Sequence, residues 1–161
     1  MIKFKQFILE NPSITHSYEY EYDEREPRHG AFKHHSTTSS GHEVRHMTLG
    51  ARKVYHFYKP GSKIPDIRIG GTQHGDKFIE SSLGKSEKST IKAHEAYKHL
   101  VDHGLHIHSD TIHSPAGAST WKKLSQHSGI KVQSYNTDTN KYGPVADAHN
   151  KGNMRLAVSK A

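Results

Sequence analysis

The sequence predicts an α/β fold with an α+β mixed sheet, in which antiparallel front strands lead into a β-α-β-α-β unit. Two stretches carry the helical signal: residues 91–101, whose apolar side chains recur at helical spacing, and residues 115–127. The segments 78–83, 105–110 and 130–135 are short and apolar-edged or alternating, which is typical of strands. Strands separated by helices of this length need crossover connections, so they belong to one α/β layer.

The first half of the chain favours antiparallel strands. Residues 14–25 alternate strictly, which puts Tyr18, Tyr20 and Tyr22 on one face of a half-buried strand. That face is either part of the core or a stacking platform for bases. The other predicted strands are 44–49, 53–58 with a hairpin turn at Pro60-Gly61, 64–69 ending at Gly70-Gly71, and a last edge strand at 154–158.

Two polar segments rich in turn-forming residues are predicted to be loops. The first, residues 26–43, is rich in His, Ser and Thr and is predicted to be mobile. The second, residues 136–151, contains Gly143-Pro144. Neither segment is expected to contribute to the sheet.

Composition limits the classes of function. Of the 161 residues only 32% are hydrophobic, the formal net charge is +7, and there are 16 histidines and no cysteine. The length predicts a single domain at 11–161, and the positive charge favours an anionic partner or environment. The absence of cysteine excludes disulfides and thiolate zinc sites, and no apolar run reaches the ~18 residues that would predict a membrane span.

Residues 1–10, MIKFKQFILE, form a short amphipathic segment. Phe4, Phe7 and Ile8 lie at helical spacing, so a helix is predicted that ends at the following Asn-Pro pair. The segment resembles the capsid-targeting leader of internal head proteins in large contractile-tailed phages.

That resemblance implies processing and a location. In the phage family a head-maturation protease cleaves after Leu/Ile-x-Glu, which implies cleavage after Glu10 and a mature start at Asn11. It also implies that the chain is a virion protein of the capsid interior, packaged with DNA, that later reaches the host cytoplasm. Packaged DNA or a host protein is then its expected partner.

Residues 53–136 carry a second pattern: a helix ending in Tyr-x-x-Leu, a strand ending in Ser-Asp, a run of small residues, and Trp-x-x-Leu. The matching residues are Tyr97–Leu100, Ser109-Asp110, Ser114–Ser119 and Trp121–Leu124. Together with the antiparallel front strands, the pattern resembles a reduced GNAT-like acetyltransferase domain of tailed-phage proteins. The resemblance implies an N-acetyltransferase that uses acetyl-CoA and an unidentified amine.

The same resemblance implies a pyrophosphate site at the start of the helix predicted at 91–101. The family has Arg/Gln-x-x-Gly-x-Gly/Ala there, because small residues let backbone amides approach phosphate oxygens and one cation adds charge. The equivalent residues are Lys88–Ala93, in which Ile91 replaces the first glycine. The predicted cofactor-binding residues are Gly84, Lys85, Ser86, Lys88, Ser89 and Ala93.

Many family members also use a tyrosine in the next helix as general acid toward the departing thiolate. Trp121 occupies that region here and has no titratable proton. Tyr135 is therefore the predicted substitute, with Tyr142 as a further candidate. Glu80 and Asp110 are the predicted general bases for an amine substrate.

Histidines crowd residues 103–113 and raise two other functions. On a strand, His106, His108 and Asp110 share one face, which can present them to zinc or manganese. A metal hydrolase with these three ligands is one alternative, and a surface row of histidines without metal is the other reading of the same residues. A non-catalytic basic protein that binds DNA or a host factor is the remaining class.

Overall fold

The computed structural model describes residues 2–6, 18–22, 29–109, 115–145 and 153–161, and eleven strands and two α-helices lie within them. The strands are β1 (Ile2–Gln6), β2 (Tyr18–Tyr22), β3 (Lys33–Thr37), β4 (Glu43–Leu49), β5 (Arg52–Tyr58), β6 (Ile67–His74), β7 (Lys77–Lys85), β8 (His106–His108), β9 (Ile130–Asn136), β10 (Lys141–Gly143) and β11 (Met154–Lys160). The helices are α1 (Ala93–Asp102) and α2 (Pro115–Ser125), and a 3₁₀ turn covers His29–Ala31.

Nine strands form one mixed sheet in the order β10-β9-β11-β8-β7-β6-β5-β4-β3, while β1 and β2 pair separately. In the described part of the chain β7 and β8 are the parallel pair of this sheet, and its other neighbours are antiparallel. The prediction of a mixed α+β sheet with antiparallel front strands is therefore confirmed. Helix α1 makes the crossover between β7 and β8, as parallel neighbours require.

The hydrophobic core lies between the two helices and one face of the large sheet. Helix α1 buries Ala96, Tyr97, Leu100 and Val101 at the i, i+1, i+4, i+5 positions that form one helical face. Tyr97 lies against Trp121 of α2, with ring centroids 4.9 Å apart. The strands supply the facing side chains, which include Val44, Tyr55, Phe57, Ile67, Ile69, Phe78, Ile107 and Val158.

Strands β6 and β7 are joined through a β-bulge beside two glycines. Gly70 is paired with Ser82 and Gly71 with Glu80, so Ser81 is the extra residue. A Cβ on Gly71 would overlap the carbonyl oxygen of Ile79 and come within 2.7 Å of Phe78 Cζ. The glycine therefore lets the two strands approach closely where β7 changes direction. The predicted strand end at this glycine pair is wrong, because β6 runs through it from Ile67 to His74.

Two predictions for polar segments are corrected. Residues 33–37, placed in the mobile loop 26–43, form β3, an edge strand that pairs with β4. Its sequence KHHST has no apolar residue, so neither hydrophobicity nor alternation marks it. Residues 141–143, placed in the loop 136–151, form β10, which closes a hairpin with β9.

The two ends of the chain also differ from expectation. Residues 2–6 are the strand β1 and not the first turns of a helix, and they pair with β2. Residues 7–10 lie outside the described part, so cleavage after Glu10 stays a prediction. Strand β11 is central and not an edge strand, because it is inserted between β8 and β9. In the part of the chain that the structure describes, neither helix has the length and apolarity to cross a membrane.

Candidate active site

The parallel strands β7 and β8 separate after a short contact. Their ladder joins Lys77–Ile79 to His106–His108, and β7 then continues to Lys85. Ser109, the residue after β8, turns toward β11 instead: its amide donates to the Leu156 carbonyl at 2.8 Å. We call the end of this ladder, at Glu80 and the buried Ser109 and next to the bulge at Ser81, the fork.

Helix α1 begins near the carboxyl end of strand β7, from which only residues 86–92 separate it. Its N-cap residue Lys92 has an extended conformation and provides no side-chain cap. The amides of Glu95 and Ala96 both donate to the Lys92 carbonyl at 3.1 Å. Those of Ala93 and His94 have no acceptor among the described residues. They are the orphan donors of a helix start, where the helix dipole favours an anion.

Most other amides of the loop between β7 and α1 already have an acceptor, either within the loop or on Asp66. Ser86 donates its amide to the Asp66 carbonyl at 2.8 Å, and Ser89 donates to the Ser86 carbonyl at 3.0 Å. The amides of Lys88 and Ile91 donate to the hydroxyls of Ser86 and Ser89, both at 3.2 Å. Of the predicted cofactor residues, Ala93 therefore keeps a free amide, whereas Ser86, Lys88 and Ser89 shape the loop.

Lysines flank this helix start, and one acidic residue, Glu95, lies in its first turn. Lys88 and Lys92 are exposed, and Gly84-Lys85 ends β7 just before the loop. A histidine pair lies beside it, since His94 Nδ1 and His127 Nε2 are 2.8 Å apart. Burial lowers the pKa of His94, and the His127 imidazole lowers it further.

The two departures from the family pattern have structural explanations. Ile91 is 2% exposed and packs in the core, so its branched side chain does not lie over the free amides of α1. Trp121 is also buried, and its ring packs against Tyr97 of α1.

Glu80 is the predicted base that lies at the fork. It follows Phe78 by two residues on β7, so it faces α1, and it accepts a hydrogen bond from the Tyr97 hydroxyl. Burial raises the pKa of Tyr97 well above its usual value, and the Glu80 carboxylate raises it further. Tyr97 therefore stays protonated and holds Glu80 in place. Asp110, the other predicted base, lies outside the described residues.

Tyr135 lies on the other face of the sheet and is not brought together with Glu80. It packs on His108 at 4.7 Å, on the side opposite to Ile107. Its hydroxyl donates to Asn140 Oδ1 at 2.7 Å and accepts from Lys77 Nζ at 3.3 Å. Tyr142 stands next to it, 40% exposed and with ring centroids 4.9 Å apart.

The predicted metal ligands His106 and His108 do share a face. Their ring centroids are 5.0 Å apart, and His108 Nε2 lies 3.3 Å from the Tyr142 hydroxyl. Burial lowers the pKa of His108 to about 4, so its imidazole is neutral at pH 7. Within the described residues no group of three His, Cys, Asp or Glu side chains is arranged for a metal ion; the third predicted ligand, Asp110, is not among them.

Sequence reasoning missed Asp66 and the His94–His127 pair. Asp66 accepts hydrogen bonds from the loop before α1, and its partner Thr90 is 24 positions away, with Oδ2 3.4 Å from the Thr90 amide. The pair joins residues 33 positions apart. Neither spacing belongs to a local motif, so no sequence signal was present. The only sequence signal near the fork was the pair Gly70-Gly71, because glycine inside a strand indicates a bulge.

No protein-family model, curated protein or solved structure matches this chain.

Proposed function

We propose that the chain is a GNAT-like N-acyltransferase that takes its acyl group from acetyl-CoA and transfers it to an amine. The observation that carries the proposal is that Glu80, at the fork between β7 and β8, bonds to Tyr97, one helical turn after the uncapped start of α1. A fork between parallel strands admits an extended thioester, and free helix amides fit phosphate oxygens. The antiparallel front strands and the β-α-β-α-β order also support kinship with this family.

The residues fit a division of labour around the fork. Acetyl-CoA would supply an activated acyl thioester. The amides of Ala93 and His94, with Lys88 and Lys92, would hold its phosphates. Glu80 would accept the proton that the attacking amine loses, while Tyr97 keeps the carboxylate oriented.

Lys92→Asp separates binding from folding. An aspartate at the N-cap accepts hydrogen bonds from the first helical amides, so we expect the variant to gain about 1 kcal/mol of stability. It also fills the anion position with negative charge, so we expect acetyl-CoA affinity to fall at least about tenfold. Calorimetric titration and thermal unfolding of the full chain measure the two effects.

The matched control is Lys141→Asp, which makes the same charge change on the exposed strand β10. Lys141 pairs with Asn136 at the end of β9, whereas His127, beside the start of α1, lies just before β9 begins. Its acetyl-CoA affinity should equal that of the unsubstituted chain within about twofold, because the length of β9, about 20 Å, separates the two positions and exposed charges that far apart are screened. The proposal fails if the unsubstituted chain does not bind acetyl-CoA at about 1 mM, the weak end of enzyme–substrate affinities. It also fails if both substitutions weaken binding equally.

A second candidate function, nucleic-acid binding by a basic virion protein, is favoured by the Tyr–His surface on the other sheet face. We define this surface by Lys77, His106 and the exposed Tyr142, which lie over the buried rings of His108 and Tyr135. Lys77 Nζ lies 4.6 Å above the Tyr135 ring, and the exposed Tyr142 stacks on His106 at 6.0 Å. Aromatic rings beside cations suit stacked bases and phosphates.

Tyr142→Ala tests this alternative in a DNA-binding titration over several salt concentrations. Loss of one stacked base should weaken single-stranded DNA binding by about 1–3 kcal/mol and leave the salt dependence unchanged. Leu49→Ala, which truncates another exposed large apolar residue, on β4, is the control. Equal effects of the two substitutions would contradict a role for the Tyr–His surface.

A further inference from the structure

A continuous hydrogen-bond chain joins an exposed serine to a buried carboxylate at the β3–β4 turn. Ser40 Oγ is 2.8 Å from His42 Nδ1, and His42 Nε2 is 3.3 Å from Asp66 Oδ2. His42 and Asp66 are 3% and 6% exposed, whereas Ser40 is exposed. The proposed acyltransferase does not use these three side chains.

The partners of His42 favour one arrangement of protons. Its Nε2 faces Thr90 Oγ1 at 3.1 Å and Asp66 Oδ2 at 3.3 Å, and the carboxylate oxygen can only accept. With the hydrogen on Nε2, Nδ1 is the acceptor and the Ser40 hydroxyl donates to it. The Thr38 hydroxyl, which accepts from the His42 amide at 3.0 Å, then donates to Ser40 Oγ at 2.8 Å. In this arrangement Ser40 shares its proton with His42.

The fold holds this arrangement rigidly. The Thr38 amide donates to the His42 carbonyl at 2.9 Å, and Gly41 makes the turn with a φ of 85°. The Asp66 amide donates to the Phe57 carbonyl at 2.7 Å, which places its side chain under the turn. Lys59 Nζ lies 3.8 Å from the second Asp66 oxygen.

A second serine in the protein lacks these properties. The Ser36 hydroxyl lies between His35 Nδ1 and His99 Nε2, at 2.7 Å from each. Ser36 is 8% exposed, and within the described residues neither imidazole forms an ion pair with a carboxylate. Contact with a histidine therefore does not distinguish Ser40 from Ser36. Ser40 differs because it is exposed and because the buried carboxylate of Asp66 lies behind its histidine.

We propose that Ser40 is a nucleophile toward activated acyl esters, with His42 as its general base and Asp66 as the residue that positions His42. Ser40 Oγ bonds to the acyl carbon while its proton passes to His42 Nδ1. The ester C–O bond breaks, and the leaving alkoxide takes that proton. Water then gives a proton to His42 and its hydroxide to the acyl carbon. The bond between the acyl carbon and Ser40 Oγ breaks, and Oγ takes the proton from His42, which releases the acid and restores Ser40.

Covalent labelling of the full chain tests the proposal. A fluorophosphonate probe forms an Oγ–P bond and releases fluoride, and peptide mass spectrometry locates the adduct. We expect an adduct on Ser40 in the folded protein and none in Ser40→Ala or after urea denaturation. His42→Gln should slow labelling about 100-fold, the usual contribution of a general base.

Controls separate chemistry from structure. Ser62, whose hydroxyl donates to the Ile64 carbonyl at 3.0 Å, is the reference serine, and Ser62→Ala should leave Ser40 labelling unchanged. For Asp66→Asn, which also touches the loop before α1, the readout is the pH profile of labelling at unchanged unfolding temperature. A positioning role alters that profile, whereas a purely structural role leaves it superimposable on the original.

Two results would overturn the proposal. The first is labelling of Ser40 in the folded chain that does not exceed labelling of Ser62. The second is labelling of Ser40 at the same rate when His42 is replaced in a variant that still folds. Acetyl-CoA binding is measured separately with the Lys92→Asp pair, so either activity can fail without the other.

Discussion

At the scale of single residues, we expect buried histidines to determine much of how the free energy of unfolding depends on pH. Four of them, His35, His46, His99 and His103, form a cluster between the end of α1 and strands β3 and β4. Burial and, to a smaller extent, the neighbouring imidazoles lower the pKa of His35 and of His99 to about 4. These two imidazoles are therefore neutral at pH 7 and pack as aromatic rings.

We predict that acid destabilises the fold through this cluster. The unfolded imidazoles take up protons near pH 6.5 and the folded ones near pH 4, so the unfolded state binds more protons between those values. The free energy of unfolding is then fully supported above about pH 6.5 and falls as the pH drops toward about 4. Urea unfolding midpoints across this range measure the loss.

Substitutions test whether His35 and His99 cause the loss of stability in acid. The double variant His35→Gln, His99→Gln removes two of the titrating groups, so its midpoint should depend less steeply on pH. His74→Gln removes an exposed imidazole outside the cluster and is the matched control. Identical slopes in the double variant and the unsubstituted chain would show that the cluster does not govern acid stability.

At the scale of elements, the bulge between β6 and β7 positions the fork. The bulged residue Ser81 follows Glu80, which is where β7 leaves β8. We predict that Gly71→Ala lowers the free energy of unfolding by about 1–3 kcal/mol, the usual cost of overpacking, because its Cβ meets β7 backbone. Thermal or urea unfolding measures the change.

The control for that prediction is Gly30→Ala. A Cβ there meets no atom within 4 Å, and the residue is exposed. Its unfolding free energy should stay within about 0.5 kcal/mol of the original, as for ordinary surface substitutions. An equally small effect at Gly71 would mean that the two strands can move apart freely at the bulge.

Elements with a strong local pattern were predictable from the sequence, and those defined by pairing were not. Helix α1 shows its apolar spacing, and β5 lies between clear turn signals. Strand β3 has no apolar residue and exists because β4 offers it an edge. Phe4, Phe7 and Ile8 fit a helical period, yet residues 2–6 pair with β2, which shows how weak a ten-residue pattern is.

The candidate site divides in the same way. The start of α1 follows from the sequence, because the residues around Ala93 show a polar loop opening into an amphipathic helix. The fork does not, because it depends on where β8 leaves β7 and β11 enters. The chain Ser40–His42–Asp66 was invisible for the same reason, since it joins a turn to a residue 24 positions further on.

At the scale of the whole molecule, the predicted leader decides whether the mature protein begins at Met1 or at Asn11. Cleavage after Glu10 would remove two Lys and one Glu, so the formal charge would fall from +7 to +6. It would also remove β1, the partner of β2. Mass spectrometry of the chain from purified phage particles should find a mature start at Asn11. An intact Met1 start in those particles would contradict the proposed leader.

The proposed acyltransferase activity requires that acetyl-CoA binds where β7 and β8 separate, next to helix α1. The most direct measurement is a titration of the ¹⁵N-labelled full chain with acetyl-CoA, followed by NMR. We predict that the amide resonances of Ala93 and His94 shift most, with smaller shifts at Glu80 and Ser109 along the fork. Saturating shifts centred on Tyr135 and Tyr142 instead, or no shifts at all, would contradict it.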